Sequence, residues 1–273
     1  MDMEIRENNV LLIDAMNIIH RSFYAYPRLT TKDGVPTGAF FGFVKYIKSF
    51  QEKFNPKHII VCSDAHRKSF RNDIYPEYKG NRGETDAELK SQFSFMEKYL
   101  SLCGIKFIKM ENYEADDLIG TLAKRATQYG YVPYIISGDR DLFQLIDENI
   151  HQVYLSTKGL EIYDIDRLAE RYEGLRPEQI IELKALSGDA SDNIPGVKGI
   201  GEKTAIKLLQ EFDTLDGIYE NIDKQKGKRK ENLENDKEIA YISKQLATIN
   251  CEVDIDIDSL FKSNNPLTLC TTE

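Results

Sequence analysis

Val10-Leu11-Leu12-Ile13-Asp14-Ala15 is an apolar run closed by an aspartate. A short continuous apolar run of this length reads as a buried strand. The pattern recurs twice. Residues 58–63 (HIIVCS) lead into Asp64, and residues 132–137 (VPYIIS) lead into Gly138-Asp139. Residues 105–110 and 150–155 give two further strands. Between the strands lie helical spacings. Phe41, Val44, Ile47 and Phe50 mark a helix over 38–54 that stops at Asn55-Pro56, and 85–103 and 115–129 are also helical. Strands alternating with helices predict right-handed βαβ units and a mainly parallel sheet. After residue 163 the pattern turns to helices alone, over 165–172, 177–187, 202–211 and 236–248. The expectation is an α/β domain over 1–163, a helical subdomain over 164–262 and a weakly structured tail over 263–273. Residues 224–230 (KQKGKRK) read as a mobile charged linker.

Chain length suits one large α/β domain or such a domain with a helical annex. Hydrophobic residues make up 41% and charged residues 30% of the 273, as in ordinary globular proteins. No apolar run approaches the ~20 residues of a membrane span. The polar, acidic N-terminus is unlike a secretory signal. Cys62, Cys103, Cys251 and Cys270 form no CxxC pair, which speaks against a zinc site or disulfide framework. The expected setting is the cytoplasm, with reduced thiols. A net charge of −9 disfavours phosphate partners on its face. Its distribution matters more, because the acids cluster as metal sites do and the bases gather in two stretches.

Asp14, Asp64 and Asp139 each follow a predicted parallel strand, at the sheet edge where ligands bind in open α/β folds. Asp141 follows Asp139 by two. Glu114, Asp116 and Asp117 crowd a loop-to-helix junction, and Asp189 and Asp192 stand in SGDASDNIPG. Each piece has a plainer reading as a turn residue, a helix cap or a complement to a helix dipole. Nine such acids converging in one crevice would repel one another and raise their pKa values. Hard divalent cations relieve this, and Mg²⁺ is held by few carboxylates, waters and substrate phosphate. Two such ions about 4 Å apart can activate water and stabilise a leaving phosphodiester oxygen.

Residues 66–82 mix Arg67, Lys68, Arg71, Lys79 and Arg82 with Phe70, Tyr75 and Tyr78. They read as a loop or mobile arch, spanning about 66–90, suited to a single-stranded end: cations meet phosphates and Tyr78 stacks on a base. Lys79, Arg82 and Arg21 are candidates to neutralise charge on a scissile phosphate. The plainer reading is a solvated loop, with Arg21 in a surface salt bridge. Lys198-Gly199-Ile200-Gly201-Glu202-Lys203-Thr204 forms a tight turn before an amphipathic helix whose free N–H groups can hold phosphate. The turn resembles the helix-hairpin-helix class, placed within about 187–211.

LIDAMNIIHRSFYA, SDAHRKSFRNDIYPEYKGNR, YEADDLIGTLA, ISGDRDLFQL and LSGDASDNIPGVKGIGEKTA together resemble the signatures of the bacterial and phage 5′→3′ exonuclease and flap endonuclease family, in its order. The family includes the N-terminal domain of bacterial DNA polymerase I, and with no polymerase region following, the chain looks like a free-standing member. The resemblance implies a PIN-like 5′-nuclease fold: a mainly parallel sheet flanked by helices, with a C-terminal helix-hairpin-helix subdomain. It implies a first metal on Asp14, Asp64, Glu114 and Asp116. A second would use Asp116, Asp117, Asp139, Asp141, Asp189 and Asp192. The ions would be two Mg²⁺, with Mn²⁺ able to substitute and K⁺ at the hairpin turn. Lys79 resembles the catalytic lysine, assisted by Arg82 and Arg21. The implied partner of this monomer is branched or 5′-ended DNA, with an RNA primer strand also open. The implied reaction leaves a 5′-phosphate and a 3′-hydroxyl, in primer removal and repair. Ser63 stands where relatives commonly carry Phe.

Two other functions fit parts of the pattern. A phosphatase with an aspartate nucleophile usually has DxD after its first strand, whereas Asp14-Ala15-Met16 stands here. A non-catalytic binder of DNA junctions would keep the basic segments and could lose acids, but none is missing. A related RNA-directed nuclease is less favoured by the hairpin turn.

Overall fold

The computed structural model describes residues 5–66, 68–157 and 159–261. Six strands form one sheet: β1 Asn9–Asp14, β2 His58–Cys62, β3 Lys106–Ile108, β4 Val132–Ser137, β5 His151–Ser156 and β6 Gly159–Tyr163. Their order is β3-β2-β1-β4-β5-β6. β1 to β5 run parallel, and β6 returns antiparallel to β5. β1 lies between β2 and β4, so chain direction across the sheet reverses beside it. That switch point opens a crevice at the carboxyl ends of β1 and β4.

Both faces of the sheet are covered, which explains why its inner strands are apolar without alternation. Side chains of alternate residues serve opposite faces. Leu11, Ile13, Ile59, Val61 and Ile136 pack with helices Ala15–Ala25, Gly38–Phe54 and Phe93–Leu102. Val10, Leu12, Ile60 and Ile135 pack on helix Ala115–Gln128. This second face also takes Ile249, Val253, Leu260 and Phe261. The chain therefore returns to the sheet after the helical subdomain, so residues 249–261 pack with the α/β half rather than among the helices that precede them.

The helical half holds Gln179–Ser187, Glu202–Phe212, Leu215–Glu220, Gly227–Asn235 and Lys237–Ala247 around Leu183, Leu186, Ile206, Leu209 and Leu233. Its core runs on into Phe143, Ile146 and Tyr163 of the sheet half.

Two elements lay outside the sequence expectations, and two expectations need correction. Residues 15–25 are helical, capped by the Asp14 side chain. β6 was not anticipated. The helix expected over 85–103 breaks at Ser91-Gln92, where the buried Gln92 side chain accepts the Phe40 N–H at 3.1 Å, near the start of helix Gly38–Phe54. The expected linker 224–230 is ordered and runs into helix Gly227–Asn235. The tail 263–273, with Cys270, lies outside the described residues. No described helix is long and apolar enough to cross a membrane. Cys62 and Cys251 are free thiols.

Candidate active site

The strand ends bring acids to the crevice by backbone geometry alone. Asp14 closes β1, and its carboxylate accepts the Asn17 N–H (3.2 Å) and the Ser137 hydroxyl (2.8 Å) at the end of β4. It is thus both a helix cap and a crevice residue. Asp64, two residues past β2, accepts the Ala115 N–H at 2.7 Å and so ties that strand to helix Ala115–Gln128. Asp139 accepts the Asp141 N–H at 2.9 Å. Asp14, Asp64, Glu114, Asp116 and Asp139 line one cavity of about 1140 Å³, shared with Lys79 and Arg82.

The carboxylates lack positive charge in proportion. Burial pushes Asp14 up to about 6 against its two hydrogen bonds, with Asp139 and Asp64 adding repulsion. Burial, Asp139 and Asp14 hold Asp116 well above the carboxylate range. Asp64 is raised by burial, partly countered by Lys79. Glu114 differs: burial works against its charge, but Lys79 and Arg71 outweigh it and hold the carboxyl low. Lys79 Nζ lies 2.5 Å from Glu114 Oε2 and 3.6 Å from Asp192 Oδ2. Arg82 pairs with the other oxygen of Asp192. These two cations therefore join the sheet half to the loop that carries Asp192.

Asp141 and Asp189 meet at Lys184, a residue that sequence reasoning missed. Its Nζ lies 2.6 Å from Asp141 Oδ1 and also pairs with Asp189. Burial and Asp139 still push Asp141 up to about 7, while Lys184 outweighs burial at Asp189 and lowers it. The only sequence signal was a lysine five residues before Asp189, with no spacing rule to single it out.

The loop bearing Asp189 and Asp192 is built on two glycines. Gly188 and Gly196 have φ of +68° and +62°, and a Cβ on Gly196 would stand 2.2 Å from the Gly188 nitrogen. The turn folds back so that Val197 N–H reaches the Leu186 carbonyl at 2.8 Å. Lys198, Gly199, Gly201 and Lys203 are exposed on the following hairpin turn, with Ile200 buried beneath and Thr204 half-buried.

Several expected roles do not fit the geometry. Asp117 is fully buried, and its oxygens accept from Arg71 at 2.8 and 2.9 Å, from Glu114 N–H at 3.0 Å and from Asn250 N–H at 2.9 Å. It faces the interior, away from the metal-binding role expected of it. Arg71 is buried too, and also donates to the Leu246 and Thr248 carbonyls, so it is no DNA contact. Tyr78 is buried, with its hydroxyl on Glu114 (3.2 Å) and Asp192 (3.3 Å), which leaves no ring face for a base. Arg21 spends its guanidinium on the Leu155 and Ser156 carbonyls at the end of β5. Lys68 is exposed. Arg67 lies outside the described residues. The expected arch is accordingly pinned over 69–82. Lys79 N–H donates to the Asp192 carbonyl (2.8 Å), and Asn81 donates to that of Ala190 (2.7 Å).

Residues 9–173 match the family described as 5′-3′ exonuclease, N-terminal resolvase-like domain, and residues 175–265 match 5′-3′ exonuclease, C-terminal SAM fold. The chain belongs to the 5′-3′ exonuclease family. It is a nuclease. DNA polymerase I of Streptococcus pneumoniae is 46% identical over 259 residues, which cover 92% of this chain and 29% of that protein. DNA polymerase I of Bacillus subtilis is 43% identical over 252 residues, 91% of this chain and 28% of that protein. The exonuclease chain thus spans under a third of these relatives. Among solved structures, T5 5′-exonuclease with bound zinc superposes with a TM-score of 0.73 at 26% identity, covering 89% of this chain and 90% of that one. The catalytic core of Rad2 in complex with DNA shares the fold at 21% identity, with a TM-score of 0.61 over 96% and 82% of the two chains.

Proposed function

We propose that the protein is a structure-specific 5′→3′ exonuclease and flap endonuclease acting on DNA in the bacterial cytoplasm. It would hydrolyse phosphodiesters with two Mg²⁺ ions, Mn²⁺ substituting, and leave a 5′-phosphate and a 3′-hydroxyl. Primer removal and repair are the setting this reaction serves. The observation that carries the reading is the excess of buried carboxylate gathered at one cavity, where Asp14 is pushed up to about 6 and Asp116 is held well above the carboxylate range. Asp14, Asp64, Glu114 and Asp116 suit one hard cation. Asp139, Asp141, Asp189 and Asp192 suit a second, and Asp117 is left out. Among the described residues no three His, Cys, Asp or Glu side chains close on one point as direct chelation would require. Mg²⁺ keeps several waters and takes few carboxylates, so these acids can hold it partly through water.

When bound, such ions supply an activated water and offset charge on the leaving oxygen. The chain's own residues do the rest. Lys79 Nζ and the Arg82 guanidinium already lie at the cavity, aimed by Glu114 and Asp192, and can transfer a hydrogen bond to a non-bridging phosphate oxygen. The hairpin over 198–204 offers backbone N–H groups, Lys198 and Lys203 to duplex phosphates without reading sequence, with K⁺ on its carbonyls. No observation favours the junction-binding alternative.

The deciding experiment is a 5′-labelled flap duplex incubated with Mg²⁺ or EDTA. The reading expects Mg²⁺-dependent release of short 5′ fragments ending near the junction. Binding of the flap without cleavage in Mg²⁺ or Mn²⁺ would refute it.

A further inference from the structure

The basic stretch 224–230 has no part in the chemistry above, yet it leads into a helix whose far end is bonded to the hairpin turn. Helix Gly227–Asn235 touches that turn twice at its C-terminal end. Asn232 donates to the Lys198 carbonyl at 2.7 Å, and Asp236, the residue after the helix, accepts the Lys198 N–H at 2.8 Å. Residues three and four apart share a helix face. Lys228 and Arg229 therefore stand one turn N-terminal of Asn232 on the hairpin side, about 5 Å along the axis.

The neighbouring acids are already engaged. Glu231 pairs with Lys228 (2.8 Å), Asp223 pairs with Lys230 (2.6 Å), and Asp236 holds the hairpin N–H. Among the described residues Lys226 and Arg229 make no ion pair, and both are exposed. Arg229 lies one turn, and Lys226 at the helix N-cap about two turns (~9 Å), N-terminal of Asn232, which holds the exposed Lys198 of the hairpin. A step of about 5 Å spans one to two phosphates of a B-DNA strand, which rises about 3.4 Å per nucleotide.

We infer that Lys226 and Arg229 form a second phosphate contact that extends the hairpin's hold along the backbone of duplex DNA. This rests on the hairpin reading given under Proposed function. The contact reads no sequence and lengthens the duplex footprint.

The test uses the full chain with Lys226→Ala and Arg229→Ala combined, against Lys198→Ala with Lys203→Ala. Fluorescence anisotropy follows binding to a labelled flap duplex in EDTA, from about 50 to 200 mM salt. Loss of two phosphate contacts should make the slope of log K against log salt shallower by about 1.8, and weaken binding on the order of 10- to 100-fold at 0.1 M salt. The charge-keeping pair Lys226→Arg with Arg229→Lys should retain the wild-type slope. An unchanged slope and affinity in the first variant, while the hairpin variant weakens, overturns this inference and leaves the hairpin reading intact. If the hairpin variant also binds as wild type, the hairpin reading fails and this inference with it. Equal losses on single-stranded and duplex DNA overturn the duplex assignment.

Discussion

Arg71→Ala separates a stabilising role from a DNA-binding one. In sequence Arg71 sits among cations and aromatics and resembles a phosphate contact. In the structure it is buried and bridges two segments: helix Ala115–Gln128 through Asp117, and the end of helix Lys237–Ala247 through the Leu246 and Thr248 carbonyls. Removing one member of a buried ion pair strands the other and costs about 3–5 kcal/mol. The two carbonyls lose a charged donor besides. Domains are stable by about 5–15 kcal/mol, so the loss is a large share. With a urea m-value of about 3 kcal/mol per molar, the unfolding midpoint should drop by roughly 1–1.7 M. At temperatures where the variant stays folded, its affinity for flap DNA should remain within about threefold of wild type. Arg71→Met combined with Asp117→Asn should recover part of the loss, because no unpaired charge is left. A midpoint within about 0.3 M of wild type, together with tenfold weaker DNA binding, would refute the argument and restore Arg71 as a DNA contact.

Lys79→Ala should lower the single-turnover cleavage rate on the order of 10²–10³-fold, with DNA affinity within about threefold. Equal rates for variant and wild type would remove Lys79 from the reaction. Gly196→Ala must push a Cβ into the Gly188 backbone at a left-handed position, so the melting temperature should fall by roughly 5–15 °C. An unshifted melting curve would mean that the loop holds another conformation. His151 is buried with neither ring nitrogen partnered, and burial, then Arg6, lower its pKa below 6.5. The unfolded chain therefore takes up a proton that the folded one refuses, and stability should fall as pH drops below 6.5. Urea midpoints from pH 7.5 to 5.5 should decline less in His151→Leu, and parallel declines would exclude His151 as a cause.

What the sequence made legible was what local pattern decides. An apolar run that ends in aspartate fixes both the strand and the edge from which its carboxylate projects, and so Asp14, Asp64 and Asp139 could be placed together. Asp116 and Asp117 show the limit. Consecutive helical residues point about 100° apart, so one of two adjacent acids had to turn from the crevice. Which one turned was decided by Arg71, 46 residues from Asp117. Tyr78 is likewise claimed by Asp192, 114 residues on. Lys184 could be found only once helix Gln179–Ser187 had been packed against Asp141. β6 did leave a local mark, since Gly159 ends the short link from β5, but its half-buried residues carry a weak apolar signal.

The segment 69–82 explains why stability and chemistry sit so close together here. Lys79 adopts φ of +53°, a left-handed conformation that a residue with a Cβ enters at a cost of about 1–2 kcal/mol. It holds that conformation while its N–H donates to the Asp192 carbonyl and its ammonium reaches Glu114. One residue thereby contacts an acid of the sheet half through its side chain and the loop of the helical half through its backbone. Arg71, eight residues earlier, joins the same two halves through the interior. This segment thus helps to hold the cavity acids on the sheet against those on the helical loop, alongside the Asp141–Lys184–Asp189 bridge. Arg71 secures that docking without reaching the cavity, whereas Lys79 uses it to present charge there.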